Sequence, residues 1–289
     1  MLAGGGFGRR AFFAFRRWPV IPVFILIVLA VAGTFAPWIS PRDPLEGQLR
    51  DVRTPPVWDE EGSARFLLGT DQLGRDLLSR IIHGARISLI IAAVSVTGGL
   101  ALGTIVGMIS GYIGGFLDDL IMRSVDVFLA IPYILIALVV VLVFGQNFLT
   151  ILALLGLITW AGLARQIRAE VLLLREMDYV KLAMVAGASK ARILRRHIFP
   201  GVINTLIVVG TLRVGSLILF EAILSFLGAG IPPPTPSWGS MVSDGRDYLA
   251  DAWWIAFFPG MAIFLTVLAL NFTGDWLRDR LDPRLRQIQ

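Results

Sequence analysis

An all-α membrane protein with six transmembrane helices is the fold class this sequence predicts, and three observations predict it. Hydrophobic residues fill 56% and charged residues only 16% of the 289 positions, whereas a soluble domain carries roughly a quarter charged residues. Several apolar runs reach the ~20 residues that a helix needs to cross a bilayer. Between two of these runs, Arg165 to Pro200 is strongly basic yet helix-patterned, so it belongs at a membrane face and not in hydrocarbon.

Taken in order, residues 1–18 hold Arg9, Arg10, Arg16 and Arg17 and no acidic residue, and form an N-tail. Arg9-Arg10-Ala11-Phe12-Phe13 loosely resembles a twin-arginine signal, with Ala30-Val31-Ala32 as a cleavage site. The apolar run continues beyond that site to Trp38, which favours an uncleaved first span over 19–39. A polar, proline-bearing loop follows over 40–86, and its last part, Leu67 to Leu89, is expected to meet the membrane as a short surface helix.

The remaining five spans occupy 87–278, ahead of a tail at 279–289. In the second span, about Ile87 to Ser110, Ser95, Gly99, Gly103, Gly107 and Gly111 recur every fourth residue. Such a stripe lets another helix approach backbone to backbone, within the chain or between subunits. The third span starts near Asp118, Asp119, Arg123 and Asp126 and runs to about Phe144, with a kink expected at Pro132. The fourth covers Phe148 to Ala164, the fifth Gly201 to Gly228 and the sixth Trp253 to Phe272, with the proline-rich Ile231 to Gly239 before the last.

Charge sets the topology. Seventeen of the 26 Lys and Arg residues fall in the tails, at Arg123 and in the 165–200 segment, against eight on the opposite side. The rule that positive loops stay inside therefore places both termini and the basic segment in the cytoplasm. A net charge of +5 is accounted for by these flanking arginines. No basic stripe with interleaved aromatics points to nucleic acid.

Catalytic chemistry leaves no trace. There is no cysteine, no GxxxxGK[ST] phosphate loop, no HExxH and no GxSxG. His83 and His197 fall on opposite predicted sides of the membrane and cannot share a metal. The basic segment is more informative. Ala183 and Gly187 share one face of a short helix, a bare patch flanked by Lys181 and Met184 that suits a cleft on a soluble partner. Gly187 with Ala188 permits a turn, and Ser189 is placed to cap the next helix. An ordinary lipid-contacting loop is the competing reading.

The spacing of Lys181-Leu182-Ala183, Gly187, Ile193, His197 and Pro200 resembles the coupling motif of bacterial ABC importer permeases, EAA-x3-G-x5-I-x3-H-x2-P. Lysine stands here in place of its acid. LLGTDQLGRDLLSR, GYIGGFLDD, LSFLGAGIPPPTPSWG and GDWLRDRLDPRL resemble the C-type subunit of the dipeptide, oligopeptide and nickel branch. The resemblance implies a type I ABC importer permease fold with a cytoplasmic coupling helix, in the bacterial inner membrane and surrounded by its lipid. It implies a B-type permease that shares the pathway, two cytoplasmic ATPases that bind ATP and Mg, and an extracytoplasmic solute-binding protein. No cofactor is expected in this chain. Lys181, Ala183, Met184, Gly187, Ala188, Ile193 and His197 become ATPase-coupling candidates.

Arg213 and Glu221 are the ionisable candidates for a polar pathway lining, since charges inside spans usually face the bundle interior. Glu221 also admits a structural role near the end of its span. Peptide is the expected cargo, with nickel or another small solute as the alternative. A stand-alone secondary transporter would want more mid-membrane charge than Arg213 supplies, and a structural or receptor-like anchor is a third class.

Overall fold

The computed structural model describes residues 19–281, so the N-tail and residues 282–289 lie outside the described residues. Helices α1 (Val20–Thr34), α2 (Ala36–Ile39), α3 (Leu77–Ile113), α4 (Gly115–Ala130), α5 (Tyr133–Phe144) and α6 (Phe148–Leu174) come first. Then follow α7 (Asp178–Val185), α8 (Lys190–Phe226), α9 (Trp238–Gly245) and α10 (Trp254–Leu281). Among the described residues there are no strands, only two isolated bridges inside the 40–76 loop.

The spans are unequal. Four helices, α3, α6, α8 and α10, are long and apolar enough to cross a membrane, and α4 with α5 makes a fifth only as a bent pair. The first span reduces to α1, 15 residues or about 22 Å of rise, continued after a break at Phe35 by the single turn of α2. Pro132 does more than kink its span: α4 and α5 meet at 87°. Proline removes a backbone donor and holds its predecessor, Ile131, in an extended conformation, so the helix stops and restarts.

Two further expectations are corrected. No separate surface helix precedes the second span; α3 runs unbroken for 37 residues from Leu77, capped by the Asp76 side chain, which accepts from the Ser79 amide at 2.8 Å. The fourth span does not end at Ala164 but continues to Leu174, because its arginines find partners on neighbouring helices. Arg168 forms a two-pronged pair with Asp118 at 2.6 Å on each arm. Ser110 also donates to Asp118, Arg165 pairs with Asp126, and Arg175 donates to the Gly111 carbonyl at 3.2 Å. Hydrophobicity sets where a span starts, but these pairs carry the helix past the apolar stretch.

The parallel contact of α3 with α6 is the spine of the bundle. A Cβ on Gly99 would lie 2.5 Å from Thr159 Cβ, one on Gly103 2.6 Å from the Trp160 carbonyl oxygen, and one on Gly107 2.5 Å from that of Ala164. At the ends of the row, Gly111 meets the Arg168 carbonyl at 2.9 Å and Ser95 donates to the Leu152 carbonyl at 2.9 Å. The small-residue stripe therefore packs inside the chain. α10 lies along α8 and α1, and α9 closes the bundle at the end that carries the 40–76 loop.

That loop is ordered. Asp71 is buried between Arg75 at 2.7 Å and Arg80 at 3.3 Å. The Trp254 indole donates to the Thr70 carbonyl at 3.1 Å, and the Trp238 indole, seated over Gly84, donates to Ile81 at 2.9 Å. Buried tryptophans seek such an acceptor, and here they pin loop and helices together.

Candidate functional site

At the opposite end, α7 is held by one face. Val180 and Ile193 are fully buried with Leu163, Ile167, Val171, Ile198 and Val202, so the segment is anchored on the C-terminal end of α6 and the N-terminal end of α8. The turn after α7 is set by Gly187 at φ +74°, a left-handed conformation that suits glycine. The Ala188 amide donates to the Ala183 carbonyl and the Gly187 amide to that of Met184, both at 3.0 Å, which is the double bond of a Schellman termination. Ser189 then caps the helical run from Lys190, accepting from the Arg192 amide. That run passes through one π-helical turn over Leu194–Ile198 before Phe199.

This geometry redistributes the expected coupling residues. Ala183 and Ala188 are half-buried beneath the turn, and Ile193 is a core anchor. His197 lies against Tyr179 with ring centroids 6.4 Å apart. Lys181, Met184 and Gly187 are exposed, and so are two residues the sequence reading passed over: Leu182 at 68% and Val185 at 86%. Three apart on α7, these two share its outward face, the face that faces away from Val180. Their signal was legible as that spacing. Lys181 pairs with Glu176 at 3.2 Å, and the hydrogen bond from Lys181 holds the Glu176 carboxyl below its usual range. The result is an apolar knob with a fixed base, projecting from a basic surface.

The two pathway candidates separate. Glu221 is 3% exposed and accepts from the Ser225 hydroxyl at 2.7 Å, with Ser237 beside it. It is enclosed by α8 and the start of α9. Arg213 is half-buried instead, and its Nη2 lies 3.0 Å from where a Gly162 side chain would begin. One turn beyond, towards the α7 end, Gln166, Glu170, Asn204, Thr205 and Arg278 line a cleft of about 500 Å³ between α6, α8 and α10. Sequence reading missed this cleft, because its polar groups come from three helices and each looks isolated in its own span.

An apolar bundle that projects a short anchored helix from one end and an ordered loop cap from the other is built as the membrane subunit of a larger assembly. A chain of the inward-facing MetNI methionine ABC transporter superposes with TM-score 0.57 at 18% identity, over 71% of this chain and 98% of that one, which shows the same fold. Residues 103–287 match the family described as the binding-protein-dependent transport system inner membrane component, and the chain belongs to that family. Among its relatives, the di/tripeptide transport system permease protein DppC of Pseudomonas aeruginosa is 42% identical over 95% of this chain and 90% of its own length. The dipeptide transport system permease protein DppC of Escherichia coli K12 is 47% identical over 92% and 88% respectively.

Proposed function

We propose that this chain is the C-type permease subunit of an ATP-driven importer of di- and oligopeptides. A B-type permease shares the pathway, and two cytoplasmic ATPases bind ATP and Mg and supply the work. The chain spans the bacterial inner membrane with both termini in the cytoplasm, as its charge asymmetry supports. A solute-binding protein delivers peptide to the outer face, against the ordered 40–76 loop and the 229–252 segment. No step of ATP chemistry is assigned to this chain.

The observation that carries this reading is the α7 knob. Leu182 and Val185 project from a helix whose other face is locked by Val180, so a push on the knob moves the inner ends of α6 and α8 as a unit. Rigid-body motion of the ATPases then becomes alternating access. Lys181, Met184 and Gly187 border the contact; Ala183, Ala188, Ile193 and His197 hold its shape.

Purification of the tagged chain in mild detergent is expected to bring down a second permease and ATPases with phosphate-binding loops. With the binding protein added, the reconstituted assembly imports dipeptide only with ATP. Leu182→Glu and Val185→Glu each remove an apolar contact worth roughly 1.5–3 kcal/mol. Each is therefore expected to weaken ATPase retention about tenfold or more, with the chain still inserted. A chain that purifies alone and moves peptide without ATP overturns the proposal.

A further inference from the structure

We infer that the pocket where α3 and α6 enter the membrane, at the loop-cap end, holds an anionic phospholipid, with Arg86 on its phosphate and His83 on its headgroup hydroxyls. The inference is independent of the cargo. His83 and Arg86 are three apart on α3, so they share one face, and both line a pocket of about 410 Å³ whose walls hold no acidic residue. Among the described residues the Arg86 guanidinium has no hydrogen bond or ion pair. The His83 Nδ1 lies 3.0 Å from the Ser79 carbonyl oxygen, which can only accept. Nδ1 therefore carries the hydrogen, and in the neutral ring Nε2 is left to accept from a hydroxyl.

The rest of the pocket is arranged by depth. Arg86 is the last charge on α3, with none following before Asp118, and α6 carries none from Phe148 to Ala164. The two bases therefore stand at headgroup level, just outside the hydrocarbon. Ile87, Ile90 and Phe148 form the floor on the hydrocarbon side, while Pro44, Leu45, Pro234 and Pro236 come from the two loops above. The floor continues down α3. Ile90, Val94, Gly98, Leu102 and Ile105 follow in steps of three or four on one exposed face, and a Cβ on Gly98 would meet nothing within 4 Å. From Ile90 to Ile105 the helix rises about 22 Å, more than the depth of one leaflet, about 15 Å. A ligand with an anionic head and a long apolar tail fits both parts, whereas a free phosphate would use only the head. An ethanolamine head is disfavoured, because its ammonium would stand beside Arg86; a glycerol head offers hydroxyls to His83 instead. Seated there, the lipid ties both loops to α3.

The chain has no cysteine, so Val94→Cys, one turn below Ile90 and 49% exposed, carries a single fluorophore beside the tail. Val139→Cys on α5, 59% exposed, is the control. Full chains in phosphatidylethanolamine nanodiscs receive a small fraction of phosphatidylglycerol with brominated acyl chains, which quench on contact. At Val94 the quenching is expected to show phosphatidylglycerol enriched about fivefold over its bulk fraction, the effect of one basic residue beside an anionic head. At Val139 it shows no enrichment, and brominated phosphatidylethanolamine in phosphatidylglycerol discs is enriched at neither position. Arg86→Gln abolishes the enrichment at Val94, Arg86→Lys keeps most of it and His83→Leu lowers it. Should the Arg86→Gln chain fail to insert, the His83→Leu chain and the comparison of the two brominated lipids still decide. Glycerol 3-phosphate in solution is expected to leave the quenching unchanged; relief of quenching would mean that the pocket takes a soluble phosphate, and the lipid assignment would fall. Equal enrichment at Val94 and Val139, or enrichment untouched by Arg86→Gln, overturns the inference.

Discussion

Gly98 and Gly99 are neighbours on α3, and alanine at each is expected to act in opposite directions. A Cβ at Gly98 meets nothing within 4 Å, whereas one at Gly99 would lie 2.5 Å from Thr159 Cβ and 2.9 Å from the Gly156 carbonyl oxygen. Ordinary contact begins near 3.4 Å, so Gly99→Ala must drive α3 and α6 apart by roughly 1 Å. Overpacking of this kind costs typically 1–3 kcal/mol. The helix gains about 0.5–1 kcal/mol from replacing glycine at either position. The net expectation is a loss of about 1–2 kcal/mol for Gly99→Ala and a small gain for Gly98→Ala. At about 2–4 °C per kcal/mol for a chain of this size, the midpoints of the two variants should differ by roughly 4–10 °C. Thermal unfolding of the purified chain in detergent, followed by tryptophan fluorescence, measures it. Coincident midpoints would show that the α3–α6 interface has slack, and the close-packing argument would fall.

Two other outcomes follow from the same packing. Gly187→Ala meets no side chain but forces alanine into the left-handed region at φ +74°, a cost of about 1–2 kcal/mol. Uptake should fall, and Gly187→Asn should recover much of it, since asparagine tolerates that conformation; equal loss in both would point to contact with a partner instead of strain. Removing Asp118 by Asp118→Asn leaves the Arg168 guanidinium without its two-pronged acceptor, and roughly 2–4 kcal/mol of stability should be lost. Exchanging the pair, Asp118→Arg with Arg168→Asp, should restore part of it, and a melting temperature that does not recover would mean that surrounding groups are tuned to one polarity.

Much of the architecture is legible in the residues themselves, for reasons that are local. Apolar runs long enough for a bilayer, glycine at every fourth position and arginine asymmetry each act through one helix or one loop. Gly187 is of this kind too, since a helix stop needs only the backbone of its own turn. Errors arose where an element's end is decided by another element. α6 outruns its apolar stretch because Asp118 and Asp126 await its arginines; the early start of α3 is different, since its cap Asp76 is local and the signal was in the sequence.

The sequence by itself determined that this chain crosses a membrane as helices, where its basic segment lies, and to which group of permeases its motifs belong. Tertiary structure alone decided which face of α7 is free. The coupling motif marks Ala183 and Ile193, but both are turned into the core, and Leu182 and Val185 are what a partner meets. It also decided that the glycine stripe is used inside the chain, and that Glu170 opens on a cleft between α6, α8 and α10 while Glu221 is sealed elsewhere. Spacing along a helix gives the relative direction of side chains, but what each direction points at depends on neighbours distant in the chain.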